Sequence, residues 1–368
     1  MADLSKPRVV AVGGPTASGK TALSVALARA FDGEIINADS MQIYKNLDVG
    51  TAKPSAEERQ GIPHYLLDFL PPETPYSVAD FTAAADPLIR DITARGRLPL
   101  VVGGTGLYIT SLLSGMAFAP EKTDPAIRAR LQARADTEGG AALYAELQRV
   151  DPDYAAQVHP NNLPRVIRAL ELFEATGRRM SDQRREARPA EAPYHALCLC
   201  LTCRDSRIDR RVDEMVENGV LDEARQVYDH RDAYRTAAQA IGYKEFFPYF
   251  EGTANLTECT ERLKQATRNY AKRQLTWFRR QNDAVWLYLD EEDVTERACT
   301  LVRAHREQPA GPPAGKKTFT RAGSAGTGTL PAVCCRPVRA DLPSVLQDRD
   351  RHPLHAGRKP EPDRRCGI

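Results

Sequence analysis

Gly14-Pro15-Thr16-Ala17-Ser18-Gly19-Lys20-Thr21 has the spacing G-x-x-x-x-G-K-[ST], between the apolar run Val9-Val10-Ala11-Val12 and a helical pattern over residues 22–28. A strand before and a helix after is the context in which this spacing forms a phosphate loop. Glycines let successive backbone N–H groups converge on phosphate oxygens, and the helix adds the positive end of its dipole. Lys20 brings a mobile charge to the terminal phosphate, and the Thr21 hydroxyl can ligate Mg²⁺. A di- or triphosphate ligand is expected, its remainder unspecified.

Two further loops belong at strand ends beside it. In Asp39-Ser40-Met41-Gln42 the carboxylate can act as a Mg²⁺ partner or a general base, or simply as a turn or cap aspartate. In Gly103-Gly104-Thr105-Gly106 the glycines permit close backbone approach and Thr105 presents a hydroxyl, or the segment is a plain turn. Phosphate-loop ATPases usually end a neighbouring strand in a Mg²⁺-binding Asp. Here the comparable strand, Leu98-Pro99-Leu100-Val101-Val102, runs into glycine. That weakens an ATP hydrolase and leaves a small-molecule kinase open.

A long helix is expected over about 256–281. Between Arg262 and Arg280 it carries seven basic residues and no acid. At about 100° per residue, Arg268, Lys272 and Arg279 fall within roughly 40° of one another. Leu263, Ala266, Tyr270, Gln274 and Trp277 gather on the far side. Such a stripe can be merely solvated, yet in a chain of net charge +2 so unbalanced a run argues for a polyanion. Residues 120–193 lose strand signals and carry Arg128, Arg130, Arg134, Arg149, Arg165, Arg168, Arg178, Arg179, Arg184 and Arg185. They read as a helical insertion, a second arm on a phosphate backbone.

These residues need a scaffold. The first hundred residues alternate strand and helix signals, with strands at 34–40, 64–68 and 98–102 and a helix over about 78–95, as βαβ units do. Strand pattern returns at 195–202, followed by helices near 205–230, the basic helix, a strand at 284–289 and a helix near 291–306. The fold class is therefore α/β: a phosphate-loop, doubly wound, mostly parallel sheet whose ligands sit at strand C-terminal ends. Residues 1–119 and 194–307 form the core in two parts around the all-helical insertion. Beyond 308 the chain is rich in Pro, Gly, Ser and Arg and reads as a disordered tail, with Cys334-Cys335 assigned no chemistry.

The 368 residues are 42% hydrophobic, enough for one large or two modest cores. The N-terminus is polar, and no apolar run approaches the eighteen or so residues of a membrane span. Eight scattered cysteines favour a reduced, cytoplasmic setting over a disulfide scaffold. Cys198, Cys200 and Cys203 alternate like a buried strand and have no second pair at ligand spacing.

Taken together, GGPTASGKT at 13–21, DSMQ at 39–42, GGTGLY at 103–108, AIGYKE at 240–245 and KRQLTWFR at 272–279 resemble the signature blocks of the tRNA dimethylallyltransferases, in order and spacing, across about residues 8–290. The resemblance implies transfer of a dimethylallyl group from its diphosphate to the N6 amine of the adenosine 3′ of the tRNA anticodon. Gly14, Pro15, Thr16, Ala17, Ser18, Gly19, Lys20 and Thr21 then hold an isoprenoid diphosphate with Mg²⁺, and Arg211 matches a phosphate-side arginine. Asp39 is the implied base, Thr105 orients the amine or the diphosphate, and Ser40, Met41 and Gln42 line the channel for an extruded base. Gln42 has the amide needed to read an adenine edge. Implied tRNA contacts fall on Pro164, Arg165, Val166, Ile167 and Arg168, on Gln239, Gly242, Tyr243 and Lys244, and on Lys272, Arg273, Gln274, Trp277 and Arg279, joined by Arg128 and Arg268. Asn161-Asn162-Leu163-Pro164-Arg165 departs from the family's N-D-x-x-R pattern at Asn162. The tail lacks the zinc finger of eukaryotic relatives, which implies a bacterial-type enzyme, with a monomer as the simplest expectation. Two other readings stand beside this one. A small-molecule kinase would use the loop for ATP without needing the basic helix, and an RNA-binding NTP switch would need loops that sense a third phosphate.

Overall fold

The computed structural model describes residues 6–118, 124–187, 189, 191–202, 207–281, 283–290 and 293–307. Six strands build one sheet: β1 (Arg8–Gly13), β2 (Gly33–Asn37), β3 (His64–Tyr65), β4 (Leu98–Gly103), β5 (His195–Thr202) and β6 (Ala284–Tyr288). Their order is β3-β2-β4-β1-β5-β6, and every adjacent pair is parallel. Parallel neighbours need crossovers, and the intervening helices cover both faces. On β1 the alternation is direct. Val10 and Val12 pack toward helices Lys20–Phe31 and Val294–Glu307, while Val9 and Ala11 pack toward helices Val78–Ala94 and Gly106–Leu113.

Helices Pro125–Glu138, Gly140–Val150, Pro152–Ala155, Leu163–Thr176 and Met180–Glu186 lie between β4 and β5 in sequence and gather around their own apolar core, with Leu131, Leu143, Leu147 and Leu170 fully buried. A further cluster joins Ile43, Tyr44 and Leu47 to helices Ile208–Glu217 and Val220–Asp229 and to the first half of helix Leu256–Phe278. That cluster holds the loop after β2 against the second half of the chain.

Several elements are shorter than their patterns suggest. β2 stops at Asn37 because the chain turns at Asp39, just after Ala38 N–H makes a last bond across to the Val102 carbonyl at 2.7 Å. β3 stops at Tyr65 because Leu66 and Asp68 take positive φ, at 56° and 54°, which ends an extended ladder. The pattern near 205–230 divides at Gly219, whose left-handed φ of 90° breaks the helix. Helix Leu256–Phe278 ends three residues before 281. Among the described residues no helix is long and apolar enough to cross a membrane. Cys203 and the tail with Cys334-Cys335 lie outside the described residues.

Candidate functional site

All the loops with chemistry fall at the C-terminal edge of the sheet. β1 ends at Gly13, and the chain turns through Gly14 (φ 142°), Ala17 (φ 62°) and Gly19 (φ 70°) before helix Lys20–Phe31 begins. A side chain at Gly14 would overlap the Leu201 carbonyl, and one at Gly13 the Phe278 ring. These glycines are fixed by close approach. The Ser18 hydroxyl is buried and has no hydrogen-bond partner among the described residues. An unsatisfied buried hydroxyl in such a loop is a ready contact for a phosphate oxygen.

Lys20 Nζ donates to the Pro15 carbonyl at 2.6 Å. Burial pulls its pKa from 10.5 to about 8; Asp39 opposes the shift and Arg211 adds to it. Desolvation also lowers the pKa of Arg211. Lys20 and Arg211 repel one another in the cavity wall; Asp39 acts on both, and Glu58 and Glu214 also act on Arg211, so an anion bound between the two cations would relieve their repulsion.

Asp39 follows β2 and closes an Asx turn, its Oδ1 accepting the Met41 N–H at 2.9 Å. The turn-aspartate and site-carboxylate readings therefore coexist in one residue. β2 lies next to β4, so Asp39 meets the Gly103–Gly104 turn directly: Thr105 N–H donates to the Ala38 carbonyl at 3.2 Å, and Ser40 N–H donates to Thr105 Oγ1 at 3.0 Å. β4 also borders β1, and no acid stands at its end.

Gln274 ties the loops together. Its Oε1 accepts the Thr16 N–H at 3.0 Å and its Nε2 donates to the Gly104 carbonyl at 2.9 Å. A methyl group on Gly104 would overlap that amide, and one on Gly106 would overlap Trp277, whose indole N–H donates to Thr110 Oγ1 at 3.1 Å. Gly103-Gly104-Thr105-Gly106 is thus a turn and also a seat for the basic helix. Tyr270 from the same helix lies near Asp39, and burial together with that carboxylate raises its pKa.

One cavity of about 830 Å³ joins these pieces. Thr16, Ala17, Ser18, Gly19, Lys20, Thr21, Asp39, Ser40, Met41, Gln42, Arg211, Gln239, Gly242, Lys244, Arg273 and Gln274 line it; Gly14, Pro15 and Thr105 do not, although Thr105 reaches the wall through Ser40. Arg207 and Arg210 line it too, and the sequence reading missed them. Arg207 stands three and four residues before Arg210 and Arg211 at the start of one helix, and that spacing was the available signal.

Other expected tRNA contacts sit elsewhere. Val166, Ile167 and Tyr243 are buried among apolar neighbours, so their side chains pack cores. Arg128 and Arg168 both bind buried Glu171, at 2.7 and 2.9 Å, while Arg130 pairs with Glu174 and Arg134 with Glu138 and Glu146. Much of the insertion's positive charge is therefore matched within the insertion. Pro164 and Arg165 stand exposed at the start of helix Leu163–Thr176. Arg268 binds Asp209 at 2.7 Å. Lys272 and Arg279 are exposed and form no ion pair among the described residues, and Trp277 packs on Gly106 as above.

Comparison with known proteins gives the same picture. The IPP transferase family model matches residues 42–281. The tRNA dimethylallyltransferase of Bacillus subtilis is 46% identical over 286 residues, covering 77% of this chain and 91% of the relative. That of Halalkalibacterium halodurans is 45% identical over 300 residues, covering 80% and 96%. Among solved structures, the full-length tRNA isopentenylpyrophosphate transferase from Bacillus halodurans superposes with a TM-score of 0.60 at 42% identity, over 82% of this chain and 97% of that one. A eukaryotic dimethylallyltransferase acting on tRNA superposes with a TM-score of 0.70 at 30% identity, over 83% and 82%. With its phosphate loop, its Asp39 turn and its basic helix assembled around one cavity, the chain belongs to the IPP transferase family.

Proposed function

We propose that this protein transfers the dimethylallyl group of dimethylallyl diphosphate to the N6 amine of the adenosine 3′ of the anticodon in tRNA, releasing diphosphate. The observation that carries the reading is the single cavity shared by the phosphate loop and Asp39. The allylic C–O bond breaks and its electron pair leaves on the diphosphate; the N6 lone pair forms the new C–N bond, and the amine proton passes to Asp39. Adenine's amine is a poor nucleophile because its lone pair is delocalised into the ring, so proton removal during bond formation matters. Ser18, Lys20, Arg211 and the loop amides stabilise the departing charge. Thr105 supports Asp39's neighbour Ser40, and the target base enters past Met41 and Gln42 after leaving its stack.

The donor set fits Mg²⁺. Thr21 offers one hydroxyl in the cavity wall, and among the described residues there is no cluster of three His, Cys, Asp or Glu that could form a protein cage. Mg²⁺ characteristically binds through few protein groups, substrate phosphate oxygens and retained water. When bound it neutralises developing diphosphate charge. The proposed setting is the cytoplasm, where tRNA is found. Nothing in the site favours the kinase alternative: the chemistry of Asp39 and the family of the chain both point to prenyl transfer.

Incubation with labelled dimethylallyl diphosphate, Mg²⁺ and bulk tRNA is expected to move label into RNA, with ATP neither consumed nor required. Label confined to small molecules with an active preparation would overturn the reading. On the outer face of helix Leu256–Phe278, Lys272→Ala or Arg279→Ala is expected to weaken tRNA binding. Each should also lower the slope of log affinity against log salt by about one unit per lost phosphate contact. An unchanged slope removes that residue from the interface.

A further inference from the structure

Glu223, on helix Val220–Asp229, is about 170 residues from the loop it holds. Its Oε1 accepts the backbone N–H groups of Asp48 and Val49, at 2.8 and 2.7 Å. Its Oε2 accepts the Gly50 N–H at 2.9 Å and the Tyr243 hydroxyl at 3.1 Å. Three consecutive amides converging on one carboxylate form a tight turn that owes its shape to the negative charge. The surroundings leave the turn little freedom. A side chain on Gly50 would overlap the buried Tyr243 ring, and a Cβ on Gly242 would stand 2.9 Å from the Gly50 carbonyl oxygen. Lys53 closes the other end, binding the Tyr44 carbonyl at 2.7 Å and Asp68 at 2.6 Å.

The next two carbonyls after this turn face the substrate cavity. Gln42 Nε2 donates to the Thr51 carbonyl at 3.2 Å and to the Ala52 carbonyl at 2.9 Å. Two acceptors on one nitrogen fix which end of the amide is NH₂, because a carbonyl oxygen could not occupy that position. Gln42 lines the cavity, and its Oε1 is left as an acceptor with no hydrogen bond among the described residues. An acceptor there suits a base that offers an exocyclic N–H and rejects one that lacks it.

We infer that Glu223 is a positioning residue for base selection: by holding residues 48–50 it sets the Thr51 and Ala52 carbonyls, which orient Gln42 toward the amine of the incoming base. The inference rests on the transfer reaction proposed above. The test compares two anticodon stem-loops, one with adenosine and one with purine riboside at the acceptor position. Their binding is measured in the presence of a non-reactive thiodiphosphate analogue of the prenyl donor. The wild-type protein is expected to prefer adenosine. In Glu223→Ala the preference ratio is expected to fall about five- to tenfold, the worth of one oriented hydrogen bond, while affinity for the donor analogue alone stays unchanged. Glu223→Gln, which keeps an acceptor oxygen, and Tyr243→Phe, which removes one of the four donors, are expected to lose less. Should Glu223→Ala fail to unfold cooperatively, those two variants carry the comparison. A wild-type ratio in all folded variants overturns the inference. A wild-type protein that transfers no label to RNA instead overturns the transfer reaction itself, and this inference with it.

Discussion

Alanine in place of Asp39 is expected to lower the single-turnover rate of prenyl transfer by about 10²–10⁴-fold, the usual contribution of a positioned base, with stem-loop affinity little changed. The two effects separate because the carboxylate acts on a proton released only as the C–N bond forms. Alanine also removes the Oδ1 bond to Met41 N–H, so the turn itself is disturbed. Asp39→Asn resolves this: its side-chain oxygen can still accept from Met41 but cannot take a proton, and it is expected to lose a comparable factor. Rapid-quench kinetics and stem-loop titration check both. Weakened tRNA binding at a normal single-turnover rate would remove Asp39 from the role of base.

Lys20→Ala is expected to reduce kcat/KM by about 10²–10³-fold, as removal of a preorganised charge from a developing anion does. Its pH dependence is the sharper signature. Burial leaves the ammonium of the free protein titrating near 8, and a bound diphosphate favours the charged form. Below pH 8 Lys20 is already protonated and donor affinity should be flat. Above it, each pH unit should weaken binding by about tenfold, until the raised pKa of the complex is reached. In Lys20→Met the break should vanish. A break that persists in the variant would place the titration on another group.

Local patterns carried most of the fold. The phosphate loop declares itself by spacing and flanks, and the run of arginines and lysines after Glu261 announces a helix with a cationic side. The strand order β3-β2-β4-β1-β5-β6 was not legible, because nothing in a parallel strand's sequence names its neighbour. For the same reason the meeting of Asp39 with Thr105 had to come from resemblance. In the insertion the charge pattern was incomplete for a definite cause: a list of arginines does not show that Glu171 sits buried between Arg128 and Arg168. Gln274 and Glu223 show the opposite failure. Each joins segments far apart in the chain, Gln274 by a neutral amide and Glu223 by a carboxylate on an ordinary amphipathic helix. Neither type carries a local spacing that marks it as structural glue.

Helix Leu256–Phe278 fixes the length of the polypeptide as firmly as its composition. Gln274, Trp277 and Phe278 seat on three glycines of two turns, Gly104 and Gly106 in one and Gly13 in the other, within little more than one helical turn, while Lys272 and Arg279 project outward. One extra residue after Ala271 would rotate everything beyond it by about 100°. The amide clamp would swing off Thr16 and Gly104, the indole and phenyl rings would leave their glycines, and the cations would turn away from the surface they now share. A substitution along this rod alters one contact at a time, whereas an insertion or deletion there would uncouple the cationic face from the cavity loops in a single event.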